Sequence, residues 1–222
     1  MKKLIYIPIV HNQADLGSLG SRLSMEGEKK YGASHWNHHL QQVNKAWDMI
    51  ESEILRHVID KEADKIVIYQ DGLPVAGEIG TQIIKDTAKK GSKNYNIIAS
   101  LLDSGAKLEV AENKELLFRE YHLLSDISKA ESSEKQLEAF FTYQEVSQQL
   151  LNERDDHIAS QINSTLRDGE TGIAFFGASH SIIDKLNKQI EVVVISMFND
   201  VISLNLVNHA SSIETETHYS LS

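Results

Sequence analysis

Five short apolar runs, each followed or separated by a long stretch of helical periodicity, constrain this chain more than any other feature. The runs at 4–10, 65–70, 107–111, 172–176 and 191–197 have strand length, and helical patterns at 36–61, 78–90, 94–104, 113–130, 134–167 and 181–189 fill the intervals. Strands alternating with helices are the signature of βα units. The expected fold is α/β: a mostly parallel sheet of about five strands with flanking helices. The helices between 113 and 167 would form a helical hairpin inserted before the fourth strand, broken near Glu131 and Glu134. "GSKN" at 91–94 and "DSG" at 103–105 serve as punctuation. One domain over 1–208, with a polar tail at 209–222, is the expected organisation.

Composition narrows the function. A chain of 222 residues with 41% apolar residues has ample material for one α/β core. Its net charge of −10 comes with no basic stripe, and Lys29–Lys30 and Lys89–Lys90 are too short to track a phosphate backbone. No nucleic-acid partner is therefore expected. The absence of cysteine excludes a thiol nucleophile, a thiolate zinc site and disulfides. "MKKLIYIPIVHNQ" imitates a signal peptide, but its apolar run is short, contains Pro8 and lacks a small-residue cleavage site. It reads instead as the first strand. No run approaches the ~20 apolar residues of a membrane span, so a cytoplasmic protein with no membrane partner is expected.

In an open parallel sheet, ligands bind just beyond the carboxyl ends of the strands. The first strand runs into His11, Asn12 and Asp15, the second into Asp71, the third into Glu112, the fourth into Gly177 with His180 close behind, and the fifth into Asn199 and Asp200. Each has a plain alternative: Asp71 and Asp200 form turns, Glu112 caps a helix, His11 is a core histidine. Their convergence on one edge points to a site. A geometric check adds Arg154 and Asp155. The helix before the fourth strand covers roughly 21 Å from Arg154 to the turn near Asp168, matching the roughly 20 Å climb of the strand. Both residues then sit level with His180. Arg154 suits an anionic substrate or a developing oxyanion; its alternative is a surface ion pair with Glu153 or Asp156.

In "GIAFFGASHSIIDKL" His180 is expected at the N-terminus of a helix over 181–189, where unpaired N–H groups would lower the imidazole pKa and favour its neutral form. Gly177 would admit a ligand closely. Ser179 resembles the nucleophile of a G-x-S-x-G elbow, but Ser181 replaces the last glycine and the order of partners is wrong. Ser179 is thus a substrate contact, as are Asp155, Asn12, Glu120 on the 113–130 helix, and Lys93 and Asn94 at a helix start. Glu78 is expected to cap the helix after "QDGLP". His35, His38 and His39 stand at i, i+3 and i+4, a spacing able to hold a metal, although Trp36 and Trp47 suggest that their helix packs.

The order of these motifs carries a resemblance. "IPIVH" at 7–11, the acidic end of the second strand, "NERDDHIASQINSTL" at 152–166 and "FFGASH" at 175–180 resemble the TraB/Tiki group, within the superfamily of ChaN and the erythromycin esterases. The segment 152–180 is the specific part; Pro8 replaces the glycine of the first G-x-x-H. The resemblance implies a site of His11, His180, Asp71 and Arg154. Tiki-like members are metal-dependent peptidases, erythromycin esterases use a histidine base without metal, and ChaN binds haem. One scaffold therefore carries several chemistries.

Three readings stay open. The first is a hydrolase of a peptide or ester substrate, with His180, His11, Arg154, Asp71 and Glu112 as catalytic residues. Water would be activated by His180 as general base or by a divalent Zn, Mn or Co ion on His11, His180 and Asp71 or Glu112. The second is a small-molecule or haem-binding module, for which 7% aromatic residues offer a poor mouth. The third is an interaction protein with a vestigial site. The 113–167 hairpin could serve a homodimer.

Overall fold

The computed structural model describes residues 1–9, 28–29 and 32–196. Five strands form one parallel sheet: β1 (Lys2–Ile9), β2 (Ile66–Gln70), β3 (Lys107–Glu109), β4 (Thr171–Gly177) and β5 (Ile190–Val194), in the order β3-β2-β4-β1-β5. Five helices are described: α1 (Ala33–Val58), α2 (Gly77–Ala88), α3 (Lys93–Asp103), α4 (Lys114–Lys129) and α5 (Ser133–Thr165). The α/β expectation holds, and among the described residues no helix is long and apolar enough to cross a membrane.

Successive side chains of a strand point to opposite faces, and here both faces are covered. Ile5, Ile7, Ile68, Ile173 and Phe175 pack with Trp47, Ile50 and Ile54 of α1 and Ile97 and Ile98 of α3. Leu4, Tyr6, Val67, Ala174 and Phe176 pack with Ile158 and Ile162 of α5. Burial on both sides is why the central strands read as unbroken apolar runs.

A backbone carbonyl fixes the packing of α2. A methyl group at Gly80 would lie 2.5 Å from the Val75 carbonyl oxygen and 2.9 Å from Leu108 on β3. Backbone cannot step aside, so Gly80→Ala should cost about 1–3 kcal/mol and lower Tm by roughly 2–12 °C in thermal unfolding. An unchanged Tm would refute this packing.

Two expected elements are shorter. β3 stops at Glu109, so Glu112 lies three residues past the strand. The helix expected at 181–189 is only a 3-10 turn at Ile183–Lys185. Asn163 of α5 explains this. Its side chain donates to the Lys185 carbonyl (3.2 Å) and accepts from the Asn187 N–H (2.8 Å), holding the chain for an immediate entry into β5. The expected cap at Glu78 is also absent: Ala76 is the N-cap, and Glu78 occupies the first turn without a capping bond.

Candidate functional site

At the carboxyl edge of β2 and β4 the chain assembles four carboxylates around one arginine and one histidine. Asp71 follows β2; its N–H donates to the Phe175 carbonyl, and its Oδ2 accepts the Gly177 N–H at 2.9 Å. Gly72 continues at φ 71°, a left-handed turn that glycine enters freely. That turn directs the Gly72 N–H at Glu112 Oε1, 3.2 Å away. Glu112 is not a helix cap: Asn113 takes that role, accepting from Glu115 and Leu116. The freed Glu112 side chain is wholly buried under Arg154.

Arg154 arrives from α5 at the expected level, with partners far from a surface pair. Its Nη2 donates to Asp71 Oδ1 (2.8 Å) and Glu112 Oε1 (2.5 Å), its Nε to Glu112 Oε2 (3.3 Å), and its Nη1 to Glu120 Oε2 (2.6 Å). Glu153 and Asp156, the alternatives, pair instead with Arg119 and Lys185. Four of the five guanidinium N–H groups are thereby used. Arg154 therefore organises carboxylates and has little left for a substrate oxyanion, which corrects the expected role.

His180 is the other centre. Its Nδ1 lies 2.5 Å from Asp155 Oδ1, and the second oxygen of Asp155 accepts the Ser181 N–H at 2.9 Å. Nε2 faces Asp71 Oδ2 across 3.5 Å, too long for a strong direct bond. Phe176 packs edge-on against the imidazole, with ring centroids 5.7 Å apart. No helix begins at His180, so the expected lowering of its pKa is overturned. Burial does disfavour the charged ring, but the Asp71 and Asp155 carboxylates outweigh it and hold the pKa above the ordinary value. Asp71 is buried as well, yet His180 and Arg154 keep its carboxyl well below the usual range. Glu112 is pushed upward, because burial and the Asp71 charge exceed the help it receives from Arg154.

Other expected residues sort plainly. Gly177 and Glu120 join the site. Ser179 sits in the exposed turn before His180. Lys93 pairs with Asp48 at 2.6 Å on the surface and does not reach the site. Asn94 is buried and donates to Gln70, whose own amide donates to the Asp71 carbonyl, so it acts behind the site. His35 and His38 are exposed and belong to no ligand grouping among the described residues. His11, Asn12, Asp15, Asn199, Asp200 and the His39 side chain lie outside the described residues. The structure adds Gln70 and Tyr6 to the surroundings of the site. Gln70 is the lone amide in the buried strand "IVIYQ", and the Tyr6 hydroxyl donates to the His180 carbonyl at 3.5 Å. A polar group inside an otherwise apolar run was the available signal for both.

The implied metal can be tested against this donor set. Asp71, Glu112 and His180 bring one ligand atom each to within 4.8 Å of one another. Glu112, however, accepts three N–H bonds, and Arg154 supplies the balancing charge. What remains among the described residues is His180 Nε2 and Asp71 Oδ2, one ligand fewer than the three protein ligands of catalytic zinc. The described residues alone do not make that site. In comparisons with known proteins, no family model, no curated protein and no solved structure matches this chain.

Proposed function

We propose that the chain is a hydrolase acting on a peptide or ester bond, with His180 as general base. The observation that carries this reading is the orientation of His180: Asp155 accepts a hydrogen bond from Nδ1 at 2.5 Å, leaving Nε2 as the basic nitrogen, turned toward Asp71. Asp71 Oδ2 receives one hydrogen of a water molecule and Nε2 takes the other. The water oxygen attacks the substrate carbonyl carbon, and the proton on Nε2 then passes to the departing alcohol or amine. Asp155 stabilises the imidazolium in between. Arg154 keeps Asp71 ionised and in place. A haem-binding role is less well supported, since both ring nitrogens of His180 already face carboxylates, Asp155 at Nδ1 and Asp71 at Nε2.

The pH dependence follows from the direction of the His180 shift. Carboxylates stabilise the imidazolium, so the free base appears only above the ordinary histidine value of about 6.5. For hydrolysis of a panel of p-nitrophenyl esters and fluorogenic peptides, kcat/KM should rise with pH through an apparent pKa above that value. Exhaustive dialysis against a chelator should leave the rate unchanged. A rate that tracks bound transition metal would replace the general base with a metal-activated water.

A further inference from the structure

Gln70 and Asn94 approach the site from the far side of the sheet. Ile66 and Ile68 face α1 and α3, and Gln70, two residues further along β2, shares that face. His180 packs on the other, against Phe176. Both amides are buried. Gln70 Nε2 donates to the Asp71 carbonyl at 3.1 Å, which leaves its oxygen for Asn94, whose Nδ2 donates to it at 3.2 Å. The relay runs in one direction only. Turning over either amide alone would set oxygen against oxygen.

The relay ends on a single peptide unit. The Asp71–Gly72 peptide has its carbonyl held by Gln70 and its N–H by Glu112 Oε1 at 3.2 Å, while the Asp71 N–H donates to the Phe175 carbonyl. Both backbone torsions of Asp71 are thereby tied. Its side chain then reaches Arg154 Nη2 with Oδ1 (2.8 Å) and the Gly177 N–H with Oδ2 (2.9 Å), and Oδ2 stands 3.5 Å from His180 Nε2. Asn94 Oδ1, by contrast, has no hydrogen-bond partner among the described residues. A buried acceptor without a partner offsets what the amide gains through its other bond. Stability alone does not account for an asparagine here; the bond to Gln70 does.

We propose that Gln70 and Asn94 are positioning residues of the site: their relay fixes the Asp71–Gly72 peptide and so holds the Asp71 carboxylate between Arg154 and His180. This role rests on the reading of His180 as a base that works beside Asp71.

The testing variant is Gln70→Met/Asn94→Leu, which keeps the side-chain size and removes both amides together. Neither partner of the pair is orphaned, and the Asp71 carbonyl sits in a half-exposed turn open to water, so Tm should stay within a few degrees of wild type. The His180 imidazole, followed by NMR through its pH titration, should nevertheless change. It faces Asp155 and Asp71 with Arg154 close by, and a loosened Asp71 should lower its pKa by about half a unit or more. In hydrolysis assays kcat should fall about 10–100-fold with KM nearly unchanged. Should the double variant misfold, Asn94→Ser, too short to reach Gln70, should move the same titration in the same direction. A His180 pKa equal to that of wild type in a folded variant overturns the proposal. A lower Tm without that movement overturns it equally, in favour of a structural role. A lowered pKa in a protein that hydrolyses nothing supports the positioning and counts against the hydrolase instead.

Discussion

Arg154→Met is expected to destabilise the protein by about 3–5 kcal/mol, the cost of leaving buried charges without their partner. For a chain of this size that corresponds to a Tm lower by roughly 6–20 °C. The methionine side chain fills much of the volume but returns none of the four hydrogen bonds to Asp71, Glu112 and Glu120. Glu112, with a fully buried side chain, then bears the largest penalty. Glu112→Gln should consequently behave oppositely in the two backgrounds. With Arg154 in place it is destabilising, because it weakens a charge-assisted bond. In the Arg154→Met variant it is partly restoring, because it removes an orphaned charge. This sign reversal is a coupling that independent sites do not show. Thermal unfolding of the four proteins measures it, and additive effects would contradict the network. The pH dependence adds a second check. Asp71 has a depressed folded-state pKa, so its contribution is present above the unfolded carboxylate value of about 3.9 and is lost as pH falls through its folded value. His180 has a raised one, so its contribution is present below about 6.5 and is lost as pH rises through its folded value.

Asp155→Asn should lower kcat/KM by about 10²–10⁴-fold, and His180→Ala at least as much. Asp155 accepts from two donors at once, His180 Nδ1 and the Ser181 N–H. An asparagine can present its oxygen to only one of them. If the oxygen stays with Ser181, the amide N–H₂ meets Nδ1 and forces the ring proton onto Nε2, which can then no longer accept a proton from water. If it turns to His180, the amide confronts the Ser181 N–H. Either way the base is disabled while the volume is kept. Because Asp155 is a positioning residue, the informative readout is the pH profile. Residual activity of Asp155→Asn should titrate at a lower pKa than wild type, since one of the carboxylates that raise it is gone. The fall should be in kcat more than in KM. A purely structural role would reduce the amount of active protein without moving the pKa.

The residues differ in how far they could be read from the sequence. The central strands were legible because β1, β2 and β4 are buried on both faces and leave no polar alternation to misread. Arg154 and Asp155 were placed correctly because an antiparallel helix and strand of known rise fix which residues are level. Their partners were not legible. Which carboxylates Arg154 engages depends on side chains from α4, α5 and the ends of β2 and β3, none adjacent in sequence. The turn at 183–185 misled for a related reason. "SIIDKL" has helical spacing, with Ile182 buried in the core, but Asn163 on another element takes the backbone groups a helix would need. His180 thereby lost the helix dipole expected of it and gained two carboxylates, and the sign of its pKa shift reversed.

The most direct test is steady-state hydrolysis of the ester and peptide panel by wild type and His180→Ala at equal concentrations of folded protein. The account predicts turnover of at least one member by wild type, falling by about 10²-fold or more in the variant. Equal turnover by the two proteins, or none by either, would contradict it.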